Sequence, residues 1–278
     1  MTPPLSAGAI AASCRHAAAA TVGIEVVDAT ASTNADLLAR ASVAGAPHAL
    51  AGSTLLVARR QTAGRGRAGR SWISDAGCLT FSLAWRFDQP VAALVGLPLA
   101  IGVALAEVLN AQGAKVCLKW PNDVLAGGAK LAGILIETAT VQSLLQQQAW
   151  AVIGVGINMR DASDNGAALS AGAFTVATLP ASNRNLLLAR LLDAFCTTLA
   201  TFADSGLTSF VARWNALHAH AGQIVNILER GCVAQSGRAL GIDGLGRLLL
   251  QTGNGMVAVV AGDVSLRLAG ERRDAAVD

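Results

Sequence analysis

The chain has 278 residues, 53% of them hydrophobic and 14% charged, with a net charge of +3. That length accommodates one large unit and a small one; the apolar content excludes a disordered chain, and so small an excess of positive charge excludes a general nucleic-acid binder. Five scattered cysteines (Cys14, Cys78, Cys117, Cys196 and Cys232) form no C-x-x-C pair, which argues against a zinc ribbon or disulfide framework and for a reduced, cytoplasmic protein.

Residues 1–22 lack the basic start of an export signal: Thr2, Pro3 and Pro4 stand there, and Arg15 and His16 interrupt the apolar run. They read as a leader, poorly ordered or weakly helical. A strand is predicted over 24–27, then N-cap chemistry at Ser32-Thr33-Asn34 and a helix over 35–44. Apolar residues 55–58 predict a second strand. Residues 58–72 follow as ARRQTAGRGRAGRSW.

Gly64, Gly66 and Gly69 fit the G-x-G-x-x-G pattern of a dinucleotide-binding turn. That reading requires a helix after the glycines, whose N-terminus receives the pyrophosphate. Instead Leu79, Phe81, Leu83, Trp85 and Phe87 alternate with Thr80, Ser82, Ala84 and Arg86, the period of a strand. Asp88, near the offset of a ribose-binding acid, merely ends that strand. The arginines at 59, 60, 65, 67 and 70 suit a mobile loop that closes over an anion, the bland alternative being a solvated basic turn.

The apolar run 91–106 contains Pro98 and, at 16 residues, is short of the roughly 20 needed to span a bilayer. It predicts a buried helix from Pro98 to Asn110, stopped by Gly113. A strand over 116–119 leads into Trp120-Pro121-Asn122-Asp123, and strands follow over 130–138 and 149–158. Residues 161–173 read as a loop, 186–202 as a helix capped by Asn183, and 207–217 as a shorter helix. After His220, five short strands (224–228, 232–240, 247–251, 256–260 and 264–268) punctuated by glycines suggest a small antiparallel barrel. The expected division is a leader over 1–22, a catalytic unit over 23–220, the barrel over 221–270 and a tail over 271–278.

Three segments carry further chemistry. In Lys119-Trp120-Pro121-Asn122-Asp123 a cation, an amide and a carboxylate follow a strand, although Pro-Asn-Asp alone is ordinary turn chemistry. In Lys130-Leu131-Ala132-Gly133-Ile134-Leu135-Ile136-Glu137 a lysine enters an apolar strand and a glycine permits close approach. Gly154-Val155-Gly156-Ile157-Asn158 ends a strand with two glycines and an amide, and strand glycines often mark a ligand nearby.

In this order, STN, QTAGRGRAGRSW, KWPNDV, KLAGILIE and GVGIN, with Arg213-Trp214 and the run 262–267, resemble the biotin protein ligases over about residues 24–270. The resemblance implies an α+β fold: a mixed-sheet catalytic domain of the biotin/lipoate ligase type with a small C-terminal SH3-like β-barrel. It implies that biotin's carboxylate attacks the α-phosphate of ATP, assisted by Mg2+, giving biotinyl-5′-AMP and pyrophosphate. A lysine of a biotin carboxyl carrier protein, an acetyl-CoA carboxylase subunit, then takes the biotinyl group and AMP leaves. Such chemistry calls for fixed cations and N–H donors rather than a nucleophilic side chain. The 22 residues before the catalytic region are too few for the winged-helix domain of bifunctional ligase-repressors, so neither DNA nor membrane is an expected partner; a monomer or homodimer is expected.

Site roles follow from the same resemblance. Ser32, Thr33, Asn34, Gln61, Gly64, Arg65, Gly133, Gly154 and Gly156 should serve biotin, together with Arg67 and Lys130. Arg67, Arg70, Trp72, Lys119, Asn122, Asn158, Phe174 and Arg267 should serve the nucleotide. Arg67 should hold the acyl phosphate, Lys130 should meet the carboxylate and α-phosphate, and Asp123 should help the incoming amine or the metal, whose other ligands stay unassigned. Phe174 is the expected stacking lid at the end of the 161–174 loop. Ala68 stands where the family often has arginine, and Gly77-Cys78-Leu79-Thr80 departs from the commoner run after the loop. A lipoate ligase is the nearest rival; a nucleic-acid module using the arginine loop is a more distant one.

Overall fold

Strands β1 (Gly23–Thr30) and β2 (Thr54–Gln61) run parallel, joined by helix α2 (Thr33–Ser42), in a computed structural model. It describes residues 3–42, 49–74, 77–141, 148–160, 170–171, 174–175, 179–180, 183–262 and 264–269. β2 pairs antiparallel with β3 (Cys78–Phe87), which confirms that a strand, not a helix, follows the glycine-rich loop. The sheet then continues antiparallel through β7 (Gln148–Arg160), β6 (Ala129–Val141), β5 (Asp123–Ala126) and β4 (Val116–Lys119). The short strands β8 (Ser170–Ala171) and β9 (Phe174–Thr175) pair with each other, and β10 (Leu179–Pro180) joins β7 in parallel.

Both faces of this sheet are covered, so Thr80 and Ser82 are buried although alternation would have turned them to solvent. On one face Leu37 and Ala41 of α2 pack on Leu56, Ala84 and Val152. On the other, Phe81, Leu83, Ile153 and Val155 pack beneath α3 (Leu97–Ala111) and α4 (Arg184–Ser205). α4 begins at Asn183 as expected, its side chain accepting from Leu186 N–H at 3.2 Å. With the turn ahead of it, α3 extends to a 21-residue apolar stretch, and α4 has 22 residues, so both pass a length-and-composition test for a membrane span. The 16-residue run over 91–106 stopped five residues short of the helix end at Ala111. Here the two helices pack on each other as core.

Residues 3–22 are built into that core. Helix α1 (Ala7–Ser13) buries Ile10 completely and packs on α4. Asn185 fastens it, accepting from Ser6 N–H and donating to Pro4 O, each at 2.9 Å. The Asp193 carboxylate receives the Arg15 and His16 amides.

The expected helix over 207–217 divides into a 3-10 turn (Thr208–Phe210) and α5 (Val211–Ala216). The chain then returns to the edge of the large sheet: Leu118 donates to Leu217 O and accepts from Ala219 N–H, both at 2.8 Å. The remaining strands, β11 (Ile224–Glu229), β12 (Cys232–Ile242), β13 (Leu248–Thr252), β14 (Gly255–Val259) and β15 (Val264–Leu268), form an antiparallel sheet in the order β14-β13-β12-β11-β15. Asn215 grips Ile242 through both its N–H and its carbonyl, and Trp120 Nε1 donates to Gly246 O at 3.1 Å. His218 lies in this junction, stacked on Trp214. Burial, with His220 beside it, pushes its pKa down to about 4.

Candidate active site

The floor of the site is a row of small residues across the large sheet. Strand register places Asp123, Gly133, Gly156 and Thr80 side by side on four consecutive strands. One pleat further along the same face, Leu135, Gly154 and Ser82 stand in line beneath α2. The glycines are demanded by what lies on them. A methyl on Gly156 would run into the Trp72 indole, and one on Gly154 would meet Asn34 Oδ1 at 2.5 Å. A methyl on Gly133 would lie 3.3 Å from both Trp72 and Lys130.

Trp72 is held there by the glycine-rich loop, which folds as a narrow hairpin. Trp72 N–H donates to Gly64 O at 2.9 Å, and Gly66 N–H to Arg70 O at 2.6 Å. Gly64 is required because a side chain there would strike the Trp72 carbonyl. At the tip, Ala68 and Gly69 both take positive φ, 54° and 70°; the conformation that glycine tolerates freely strains the alanine. The indole forms a flat wall over the two glycines, with Lys130 Nζ 5.7 Å from its ring centre. Its Nε1–H is buried without an acceptor. Trp72, expected beside the nucleotide, thus touches the glycines expected to serve biotin.

A polar rim closes the end of the floor at the first turn of α2. Thr33 N–H donates to Gln61 Oε1 at 2.8 Å, and Thr33 Oγ1 lies 2.7 Å from Ser82 Oγ. Ser82 Oγ donates to Asn34 Oδ1 at 2.8 Å. Asn34 Nδ2 donates to Glu137 Oε2 at 2.8 Å, and the other oxygen of Glu137 meets Arg65 Nη2 at 2.7 Å. Ser32 is buried and caps the helix through Ala35 N–H. Ser82 and Glu137 escaped the sequence reading. Glu137 left a trace, an acid ending an apolar strand; Ser82 left none, because only the fold brings it to Thr33.

Lys130 lies beside a bulge in the β5–β6 pairing, a device that re-aims side chains, and its Nζ reaches Asp123 Oδ1 at 2.7 Å. Arg67 donates to Asn122 Oδ1 at 3.1 Å and to the Gly262 carbonyl in the connection between β14 and β15. Asn122 is locked in turn, its Nδ2 donating to Ile134 O at 2.7 Å. Arg70 folds back onto Arg67 O at 3.1 Å. Asn158 uses its amide within the protein, donating to Lys130 O at 3.2 Å and accepting from Cys78 Sγ at 3.7 Å. Lys119 sits opposite Asp123 in the β4–β5 pair, and Arg267 opposite Asn226 in the smaller sheet. The Phe174 side chain and residues 161–169 and 172–173 of the expected lid lie outside the described residues. Among the described residues no three His, Cys, Asp or Glu side chains converge as a metal cage.

The sequence matches the Biotin/lipoate A/B protein ligase family over residues 46–158 and the Biotin protein ligase C terminal domain over 220–267. It is 38% identical over 249 residues to the biotin–[acetyl-CoA-carboxylase] ligase of Mycobacterium tuberculosis, covering 87% of this chain and 88% of the relative. The chain belongs to the biotin protein ligase family. Like others of this ligase family it carries both the catalytic and the C-terminal regions. It is also 38% identical to the bifunctional ligase/repressor BirA of Salmonella typhimurium, spanning 66% of that protein's length and 77% of its own. The Aquifex aeolicus biotin protein ligase, solved with biotin and ATP, superposes with a TM-score of 0.70 at 26% identity, over 89% of this chain and 99% of that one.

Proposed function

We propose that the chain is an ATP-dependent ligase that activates biotin as biotinyl-5′-AMP and transfers it to a lysine of a biotin carboxyl carrier protein. The observation that carries this reading is the meeting of two strand glycines, a tryptophan wall and the Thr33–Gln61 rim at one end of a floor whose other end holds Lys130 and Arg67. An apolar slot with polar groups at one end suits a ring with a polar head, and the cations suit the carboxylate and phosphate at its tail.

In this reading the bicyclic ring of biotin takes the surface over Gly133 and Gly156 that the Trp72 indole covers, with its ureido head at Thr33 and Gln61 and its valeryl chain running toward Lys130. The biotin carboxylate oxygen attacks the α-phosphorus and pyrophosphate leaves. Lys130, paired with Asp123 at 2.7 Å, serves as the point charge between the two anions. Arg67 is pre-aimed by Asn122 and the Gly262 carbonyl, and its planar fork suits an acyl phosphate. In the second step the carrier lysine's nitrogen attacks the acyl carbon, AMP departs, and Asp123 is the carboxylate placed to take the amine's proton. Arg70, Lys119, Asn122, Asn158, Phe174 and Arg267 remain the proposed nucleotide side, whereas Trp72 belongs with the biotin glycines. Mg2+ would be held beside the triphosphate with Asp123 as the candidate carboxylate, and would supply charge neutralisation at the leaving group. In the same proposal the unit over 23–220 carries the chemistry, that over 221–270 anchors the loop, and the protein works in the cytoplasm as a monomer or homodimer.

The test is pyrophosphate release with ATP and either biotin or lipoate. Release with biotin alone is expected; release with lipoate alone would replace this reading by its rival. Lys130→Ala should suppress pyrophosphate release itself, and an unchanged rate would remove Lys130 from the first step.

A further inference from the structure

The polar rim contains a hydrogen shortage. Four oxygens stand in line, Gln61 Oε1, Thr33 Oγ1, Ser82 Oγ and Asn34 Oδ1, separated by 3.0, 2.7 and 2.8 Å. Only the two hydroxyls contribute a hydrogen, so three gaps share two. Gln61 cannot turn its amide to donate, because its oxygen already accepts from Thr33 N–H at 2.8 Å. Asn34 cannot either. Glu137 presents only acceptors to it, taking Asn34 Nδ2–H on one oxygen while Arg65 occupies the other. Asn34 must therefore show its oxygen to Ser82.

The gap between Ser82 and Asn34 is sealed, since Ser82 is wholly buried. Two acceptors facing each other there would carry the full penalty of an unmade buried bond. The Ser82 hydrogen goes to Asn34; the Thr33 hydrogen can reach Gln61 at 3.0 Å or Ser82 at 2.7 Å, and the shorter gap, on the wholly buried Ser82, claims it, so the shortage moves to the Thr33–Gln61 end. There Thr33 Oγ1 and Oε1 of the half-buried Gln61 are left one hydrogen short, which an N–H from outside can supply. We infer that Glu137 is a positioning residue that sets the direction of this chain, making the rim accept hydrogen bonds and so select a substrate head bearing N–H groups, as a cyclic urea does. This deepens the biotin reading and rests on it. Glu137 touches no substrate; it acts through Asn34, Ser82 and Thr33, while its other oxygen ties the same network to the loop through Arg65.

The experiment compares the wild-type protein with Glu137→Gln, Ser82→Ala and the double variant, measuring pyrophosphate release against biotin and against ATP. Glutamine can turn an N–H toward Asn34 and reverse the chain. Each single change should raise KM for biotin by about 10-fold or more, the loss of a charged or buried hydrogen bond, with kcat and KM for ATP within about 2-fold. The double variant should be no worse than Glu137→Gln, because both cut one chain. An unchanged KM for biotin in both singles, or effects that multiply in the double, would overturn the inference, the latter leaving Glu137 to act only through Arg65. Equal losses against biotin and ATP would indicate general structural damage and also overturn it. Circular dichroism checks folding; should Glu137→Gln fail to fold, the near-isosteric Ser82→Ala decides alone on its KM split. A wild-type protein that releases no pyrophosphate with biotin would instead overturn the functional reading on which the inference stands.

Discussion

At the scale of single residues, the glycines and the cations serve separate purposes that the linear pattern merges. Gly64 exists for the Trp72 backbone and Gly156 for the Trp72 ring. Gly156→Ala should therefore displace the indole, an overpacking cost of about 1–3 kcal/mol. A biotin affinity measured by calorimetry should fall by a corresponding factor, and an unaltered affinity would show that Trp72 is no fixed wall. Arg67→Ala should leave the fold intact and let biotinyl-adenylate escape, since a lost charged hydrogen bond costs about 1.5–3 kcal/mol. The half-life of enzyme-bound adenylate reads this directly. Lys130, Gln61 and Thr33 could be named from the sequence because each lies in a short run with its own signature. Ser82 could not: it is one hydroxyl in a strand, and its meaning comes from a residue 49 positions earlier. Asn158 shows the reverse, a recognisable amide whose hydrogen bonds in the structure run to Lys130 and Cys78.

At the scale of elements, the strands and helices were largely legible because period and caps announce them. α4 starts at its asparagine cap, and β3 follows the loop as its alternation requires. The failures have physical causes. The leader looked weak because seven residues of helix have little intrinsic stability. What makes α1 a helix is Ile10 sunk against α4 and two side chains of α4, Asn185 and Asp193, that bind its ends. Ile10→Ala should cost about 2–5 kcal/mol, the range for deleting a buried aliphatic side chain. Denaturant titration would show it, with biotin affinity unchanged because α1 lies on the helical face away from the floor. An unshifted midpoint would mean that α1 is only loosely attached. The β6 and β7 boundaries ran beyond expectation because each strand continues to satisfy the other's backbone groups where the apolar pattern has already ended.

At the scale of the whole molecule, the two sheets are fastened together at Leu118, Trp120 and Asn215, so the Gly262 anchor of Arg67 and the floor beneath Trp72 are set relative to one another by folding. His218 sits within this fastening, buried, with a pKa of about 4 against an ordinary value of 6.5. Between those values the unfolded chain takes up a proton that the folded one refuses. The stability is thus present above about pH 6.5 and declines as pH falls toward 4, by up to about 3 kcal/mol. His218→Phe keeps a ring against Trp214 and should flatten that part of the stability profile; a slope identical to that of the wild type would clear His218 of the effect.

The two bonds from Leu118 to residues 217 and 219 also cover the outer margin of the large sheet. An uncovered margin strand offers its free amides and carbonyls to any other extended chain, and β4, with Val116 and Leu118 turned inward, would be an apolar template for it. The segment entering the smaller sheet occupies that place. Loosening the junction should therefore announce itself first as strand-to-strand association between molecules, before the chemistry at the far glycines is touched.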